Sequence, residues 1–141
     1  MDLRNIHPEA KIGKNVKIEP FATIEKDVVI GDNTWIGPNA CIMNGARIGK
    51  NCQIHPGAVV SGIPQDLKFE GENSTLEIGD NTIVREFCTL NRGTNANGTT
   101  KIGSNCMIGG QVGIDGHLKI GNNVKIAAKS GIAKNLKENE I

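Results

Sequence analysis

Residues 30–35 read IGDNTW and residues 36–41 read IGPNAC, two hexapeptides that open on isoleucine and place a small residue, Thr34 or Ala40, four positions later. Outward from this pair the same phase continues in both directions. An aliphatic residue falls on every sixth position from Ile6 through Ile12, Ile18 and Ile24 to Ile54 and Val60, returns at Ile78, Val84 and Leu90, and runs again from Ile102 to Ile132. A helix of about 3.6 residues per turn does not give a strict period of six, nor does simple alternation in a strand, whereas short strands with a corner every six residues do. Three such sides close one triangular coil of about 18 residues, and stacked coils pair backbone to backbone at about 4.8 Å. The reading is all-β: a single-stranded parallel β-helix of hexapeptide repeats.

Within each repeat the first residue points inward, and the one four places on is also inward but small, as at Ala22, Ala46, Cys52 and Ala58. Glycine follows many ladder residues (Gly13, Gly31, Gly49) and asparagine stands three after them (Asn15, Asn33, Asn51). Glycine has no Cβ to clash and asparagine tolerates left-handed backbone angles, so both suit a tight corner. Winding is expected to be left-handed, from resemblance to other hexapeptide proteins and against the usual hand of parallel crossovers.

The composition limits the functional classes. Sixteen Lys and Arg against fifteen Asp and Glu leave a net charge of +1, which gives no electrostatic case for nucleic acid or an anionic membrane. No stretch approaches the roughly 20 apolar residues of a bilayer span, and the first residues, MDLRNIHPEAKIG, do not resemble a signal peptide, so a cytoplasmic protein is expected. Of the four cysteines, Cys52, Cys88 and Cys106 stand at small inward positions and only Cys41 does not, a pattern of reduced core thiols. The three histidines, His7, His55 and His117, lie several coils apart, so neither a metal nor a cofactor is expected.

Two stretches interrupt the ladder, SGIPQDLKFEGENSTLE (61–77) and NRGTNANGTTK (91–101), and in a solenoid such insertions leave from corners and often shape the binding face. Gln65, Asp66 and Lys68 form a polar cluster in the first. Arg85, Glu86 and Arg92 read as ordinary surface charges, and His117 stands outside the core as a candidate general base. The tail, AKNLKENEI, offers one turn of helix at most, so the whole of 1–141 reads as one β-helical domain without a C-terminal helical one.

The runs SGIPQDLKFEGE, IGDNTIVREFCTLNRGT and TKIGSNC, together with the preceding repeats, resemble the UDP-N-acetylglucosamine acyltransferases of lipid A biosynthesis over residues 1–107. That resemblance implies a homotrimeric left-handed β-helix that moves a 3-hydroxyacyl chain from acyl carrier protein to the 3-hydroxyl of UDP-N-acetylglucosamine, with active sites between neighbouring subunits. It places Gln65, Asp66 and Lys68 against the nucleotide sugar. Residues 106–133 are instead similar to the later part of the related UDP-3-O-acylglucosamine N-acyltransferase, whose Gly-His, a secondary active-site histidine and not the base, is matched by Gly116 and His117. The O-acyltransferase motif A-H-x-A-H-D puts its two histidines on Gly113 and Gly116, so the expected base is missing and His117 is left as the candidate catalytic residue, as base or as an oxyanion donor to the thioester carbonyl. The alternative reading is a catalytically silent trimeric scaffold, shortened or hybrid.

Overall fold

In the computed structural model, residues 1–65, 67, 73–94 and 98–141 are described, and among them every regular element is a β-strand. Most strands are two residues long, because each hexapeptide spends its other four residues on a corner. The strands stack into three parallel sheets, the faces of a triangular prism. The first face holds Asn5–Ile6, Thr23–Ile24, Cys41–Ile42, Val59–Gly62, Thr89–Asn91, Gly113–Ile114 and Gly131–Ile132. The second runs from Lys11–Ile12 to Lys119–Ile120 and the third from Lys17–Ile18 to Lys125–Ile126, six strands each. The fold is a left-handed parallel β-helix.

Pairing sets each ladder residue on its counterpart one coil away, as Ile24 on Ile42 and Ile36 on Ile54. These side chains fill the axis: Ile30, Ile36, Ile42 and Ile54 are 1% exposed or less, and Ala22, Ala40, Ala46 and Ala58 fill the narrower corners at 0%. Apolar burial of this kind contributes about 25 cal/mol per Å² removed from water. Ile6 and Ile132, in the outermost coils, are only partly buried.

The corners follow the expected chemistry. Asn15, Asn33, Asn39 and Asn51 all take left-handed backbone angles, with φ between 57° and 62°. A Cβ on Gly31 would stand 2.6 Å from the Gly49 carbonyl carbon in the next coil, so this glycine is required by the approach of one coil to another. Thr34 and Thr82 bring hydroxyls into the core with their bonds satisfied. Thr82 Oγ1 donates to Gly103 O at 2.7 Å and accepts from the Cys106 N–H at 3.2 Å, and Thr34 makes the same pair of bonds to Gly49 and Cys52.

Two features differ from the sequence expectation. The strands run to Gly62 and restart at Thr75, and run to Asn91 and restart at Thr99, so the insertions are confined to 63–74 and 92–98. The tail, which lies beyond the sequence ladder ending at Ile132, continues the winding, with Leu136 bridged to Ile120 and the Asn139 N–H donating to Asn122 O at 3.0 Å. Ile102 pairs with Ile120, eighteen residues on, but Ile120 pairs with Leu136, sixteen on, so this last side is two residues short. The inward place thereby goes to Leu136 and not to Glu138, because burying a carboxylate costs far more than contracting a corner.

Candidate active site at one corner of the helix

The first insertion connects a strand of the first face, Val59–Gly62, to one of the second, Thr75–Ile78. The second insertion makes the same connection one coil later, between Thr89–Asn91 and Thr99–Ile102. One coil further, that corner is the tetrapeptide of Asp115, Gly116, His117 and Leu118. Both loops and His117 therefore stand on one edge of the prism. Among the described residues, neither of the other two edges carries an insertion.

Along this edge the backbone is knitted across coils. The Arg92 N–H donates to Gly62 O at 2.9 Å, and its guanidinium Nη1 reaches back to Asn44 O at 3.0 Å. Ser61 Oγ donates to the same carbonyl at 2.7 Å, so Asn44 anchors the departure of the first loop and the guanidinium of the second. On the other side, Gly116 lies against the second loop: a Cβ there would be 2.6 Å from Arg92 O.

Gln65 and His117 come together. With Pro64, Leu67, Thr94, Asp115 and Gly116 they line a cavity of about 440 Å³. Gln65 also borders a second, of about 350 Å³, over Gly113 and Gly131 on the first face, where two side chains are lacking in successive coils. Asp66 and Lys68, the other two residues assigned to the sugar, lie outside the described residues. His117 is half-buried with φ of 57°, and its Nδ1 is 3.4 Å from Thr94 Oγ1. Asp115 is exposed at the mouth of both cavities and brings a carboxylate within the same corner.

The other titratable groups sit elsewhere. His55 is on the corner between the third and first faces, edge-on to Trp35 with ring centroids 5.1 Å apart. Burial, and after it the charge of Arg85, lowers its basicity below the ordinary imidazole value. Arg85 and Glu86 form an exposed ion pair at 2.8 Å, as their sequence reading suggests. Cys52, Cys88 and Cys106 are buried with their thiol pKa pushed up by burial, and Cys88 Sγ donates to Gly109 O at 3.0 Å, so these are packing groups and not nucleophiles. Among the described residues no three His, Cys, Asp or Glu side chains gather as a metal site, and no helix is long and apolar enough to cross a membrane.

Asn44, Thr94, Thr100 and Asp115 were not singled out by sequence reasoning. A signal for them exists: counting ladder residues in threes puts Ile42, Val60, Leu90 and Ile114 on one face, and therefore both loops and His117 at one corner.

A triangular stack of hexapeptides with a cavity on one edge defines a class, the hexapeptide-repeat β-helical proteins. The chain belongs to the bacterial transferase hexapeptide (six repeats) family, whose pattern matches residues 27–62 and 99–134. More particularly, it is 57% identical over 107 residues to the acyl-[acyl-carrier-protein]–UDP-N-acetylglucosamine O-acyltransferase of Sulfurihydrogenibium sp., a match that covers 71% of this chain and 40% of that protein. The enzyme of the same description from Campylobacter curvus is 49% identical over 114 residues, 75% of this chain and 44% of that one. Among solved structures, a UDP-N-acetylglucosamine acyltransferase from Bacteroides fragilis superposes with a TM-score of 0.86 at 49% identity, over 97% of this chain and 56% of that one. The fold likeness thus runs on through residues 106–133, the segment whose sequence resembles the N-acyltransferase. The chain spans about two fifths of the length of the curated relatives it matches.

Proposed function

We propose that the protein is an acyltransferase that moves a 3-hydroxyacyl chain from acyl carrier protein to UDP-N-acetylglucosamine, in the cytoplasm and as a homotrimer with sites between neighbouring subunits. The observation that carries this reading is the meeting of Gln65, from the loop the resemblance assigns to the nucleotide sugar, with His117 in one cavity of about 440 Å³. Gln65, Asp66 and Lys68 orient the sugar. His117 takes the proton of its 3-hydroxyl through Nε2, the ring nitrogen that does not face Thr94. The hydroxyl oxygen then forms a bond to the thioester carbonyl carbon, the C–S bond breaks, and the imidazolium returns its proton to the departing thiolate. No metal or cofactor is required by these steps.

The experiment is incubation of the chain with UDP-N-acetylglucosamine and 3-hydroxyacyl carrier protein, comparing the parent with His117→Ala. Acylated sugar nucleotide is expected from the parent, with a loss of about 100-fold or more in the variant. An inactive parent would remove the enzyme reading, and an unimpaired variant would remove the role of His117. The competing reading, a trimeric scaffold without turnover, is favoured by one observation. Gly116, which the resemblance aligns with the general-base histidine of the O-acyltransferases, has no room for a side chain beneath Arg92 O, 2.6 Å from its would-be Cβ.

A further inference from the structure

We infer that Thr100 and Thr94 are positioning residues that hold His117 at two points, Thr100 by its backbone N–H and Thr94 by its ring; this rests on the reading of His117 as the proton-transferring group. The argument starts from a regularity of the corners. Asn105, Gln111, His117, Asn123 and Lys129 stand six residues apart, all with positive φ. Four of the five donate their N–H to a backbone carbonyl of the preceding coil: Asn105 to Asp80, Gln111 to Glu86, Asn123 to Ser104 and Lys129 to Gly110, at 2.8–2.9 Å.

His117 departs from the rule. In the preceding coil its corner is occupied by the second insertion, and the carbonyl at the equivalent place, two past the ladder residue Leu90, is that of Arg92, which stands against Gly116. A side chain takes over: Thr100 Oγ1 accepts the His117 N–H at 2.8 Å. Thr100 is fully buried, and the inward residues stacked before it in that row are Ala46 and Leu76. A hydroxyl among aliphatic residues costs free energy unless it is bonded, and here its partner is the backbone of the candidate base.

The ring is held from the loop itself. Thr94 is 6% exposed, its carbonyl accepts the Gly98 N–H at 2.6 Å to close the insertion, and its hydroxyl faces His117 Nδ1 at 3.4 Å. In the tautomer protonated at Nδ1 the Thr94 hydroxyl accepts from the ring, and the lone pair that takes a proton is then on Nε2. Asp115, the charged group of the same corner, borders the cavity without replacing either contact. The second loop thus supplies the ring contact, and Thr100, just past its far end, supplies the backbone one.

The test uses the full chain labelled with ¹⁵N, the ring-nitrogen signals of His117 being assigned by their loss in His117→Gln. Thr100→Val and Thr94→Val remove one hydroxyl each at nearly constant volume. Each is expected to change the tautomer signature of the His117 ring and to lower kcat by up to roughly 100-fold, as loss of orientation does, with KM little altered. Thr100→Ser and Thr94→Ser are expected to restore both readouts, which a simple packing defect would not do. Parental ring signals in both valine variants would overturn the inference. Altered ring signals with parental turnover would uphold the positioning and remove instead the reading of His117 as the base. Should Thr100→Val fail to fold, Thr94→Val, whose residue lies in the loop, decides the matter alone.

Discussion

At Gly116 a single hydrogen atom separates a workable corner from a clash. A Cβ would meet Arg92 O at 2.6 Å, backbone against backbone, with no flexible side chain to yield. Gly116→Ala is therefore expected to destabilise by about 1–3 kcal/mol, the usual cost of overpacking. Gly131, on the first face in the last coil, has nothing within 4 Å of its would-be Cβ, and Gly131→Ala should leave the melting temperature unchanged or slightly raised. Thermal melts of the pair check the contrast, and equal losses would contradict the packing described for the corner. His55 gives a pH-dependent counterpart. Its folded pKa lies below the ordinary 6.5, so the fold resists a proton that the unfolded chain accepts. Its contribution to stability is complete above pH 6.5 and declines as the pH falls below it. Melts taken on either side of that value should fall less for His55→Gln than for the parent.

At the scale of the strand and corner, the hydroxyls in the stack act as braces. Thr82 Oγ1 bonds a carbonyl and an N–H of the next coil at once, so Thr82→Val strands both Gly103 O and the Cys106 N–H. The expected cost is about 1–3 kcal/mol, measured by denaturant unfolding, with Thr82→Ser close to the parent. This is also the scale at which sequence and structure part. The inward row was legible from Ile6 to Ile132 because a buried position accepts only an aliphatic of suitable size. The asparagine corners were legible because few residues take a left-handed φ without cost. The loop limits were not: Gly62 and Thr75 lie out of phase with the ladder yet join the sheets, since neighbouring backbone is there to pair with whatever the side chain. Leu136 was hidden for the opposite reason, as a shortened side breaks the count on which the reading depends. Of the site, His117 and Gln65 could be proposed from resemblance, but Thr100 could not, because its importance depends on a hydrogen bond to a corner in the next coil.

For the whole molecule, the three faces are unequal. Both insertions leave and rejoin the stack at a single edge, and the third face, from Lys17–Ile18 to Lys125–Ile126, runs its full height between corners without them. Trp35 and Ile83 on that face are half-buried, Met107 is 37% exposed, and Phe21 and Phe87 stand out at the adjoining corner at 60% and 63%. Apolar surface of this kind accords with the proposed homotrimer. Sedimentation or light scattering should give three times the mass of the 15.0 kDa chain, and a monomer would remove the intersubunit site.

Both insertions also preserve phase: from Val60 to Ile78 and from Leu90 to Ile102 the chain advances by whole multiples of six. Length in such a molecule is digital. A gain or loss of one residue within the stack turns every later aliphatic out of the axis, while a gain or loss of six keeps them on the axis and moves each to another face, and eighteen restores the same edges. Variation by single steps is confined to the projecting loops and to the last described side, where the two-residue deficit before Leu136 has little stacked beyond it to misalign. Among hexapeptide chains, then, differences in length should come in sixes along the shaft and in any number at the loop-bearing edge.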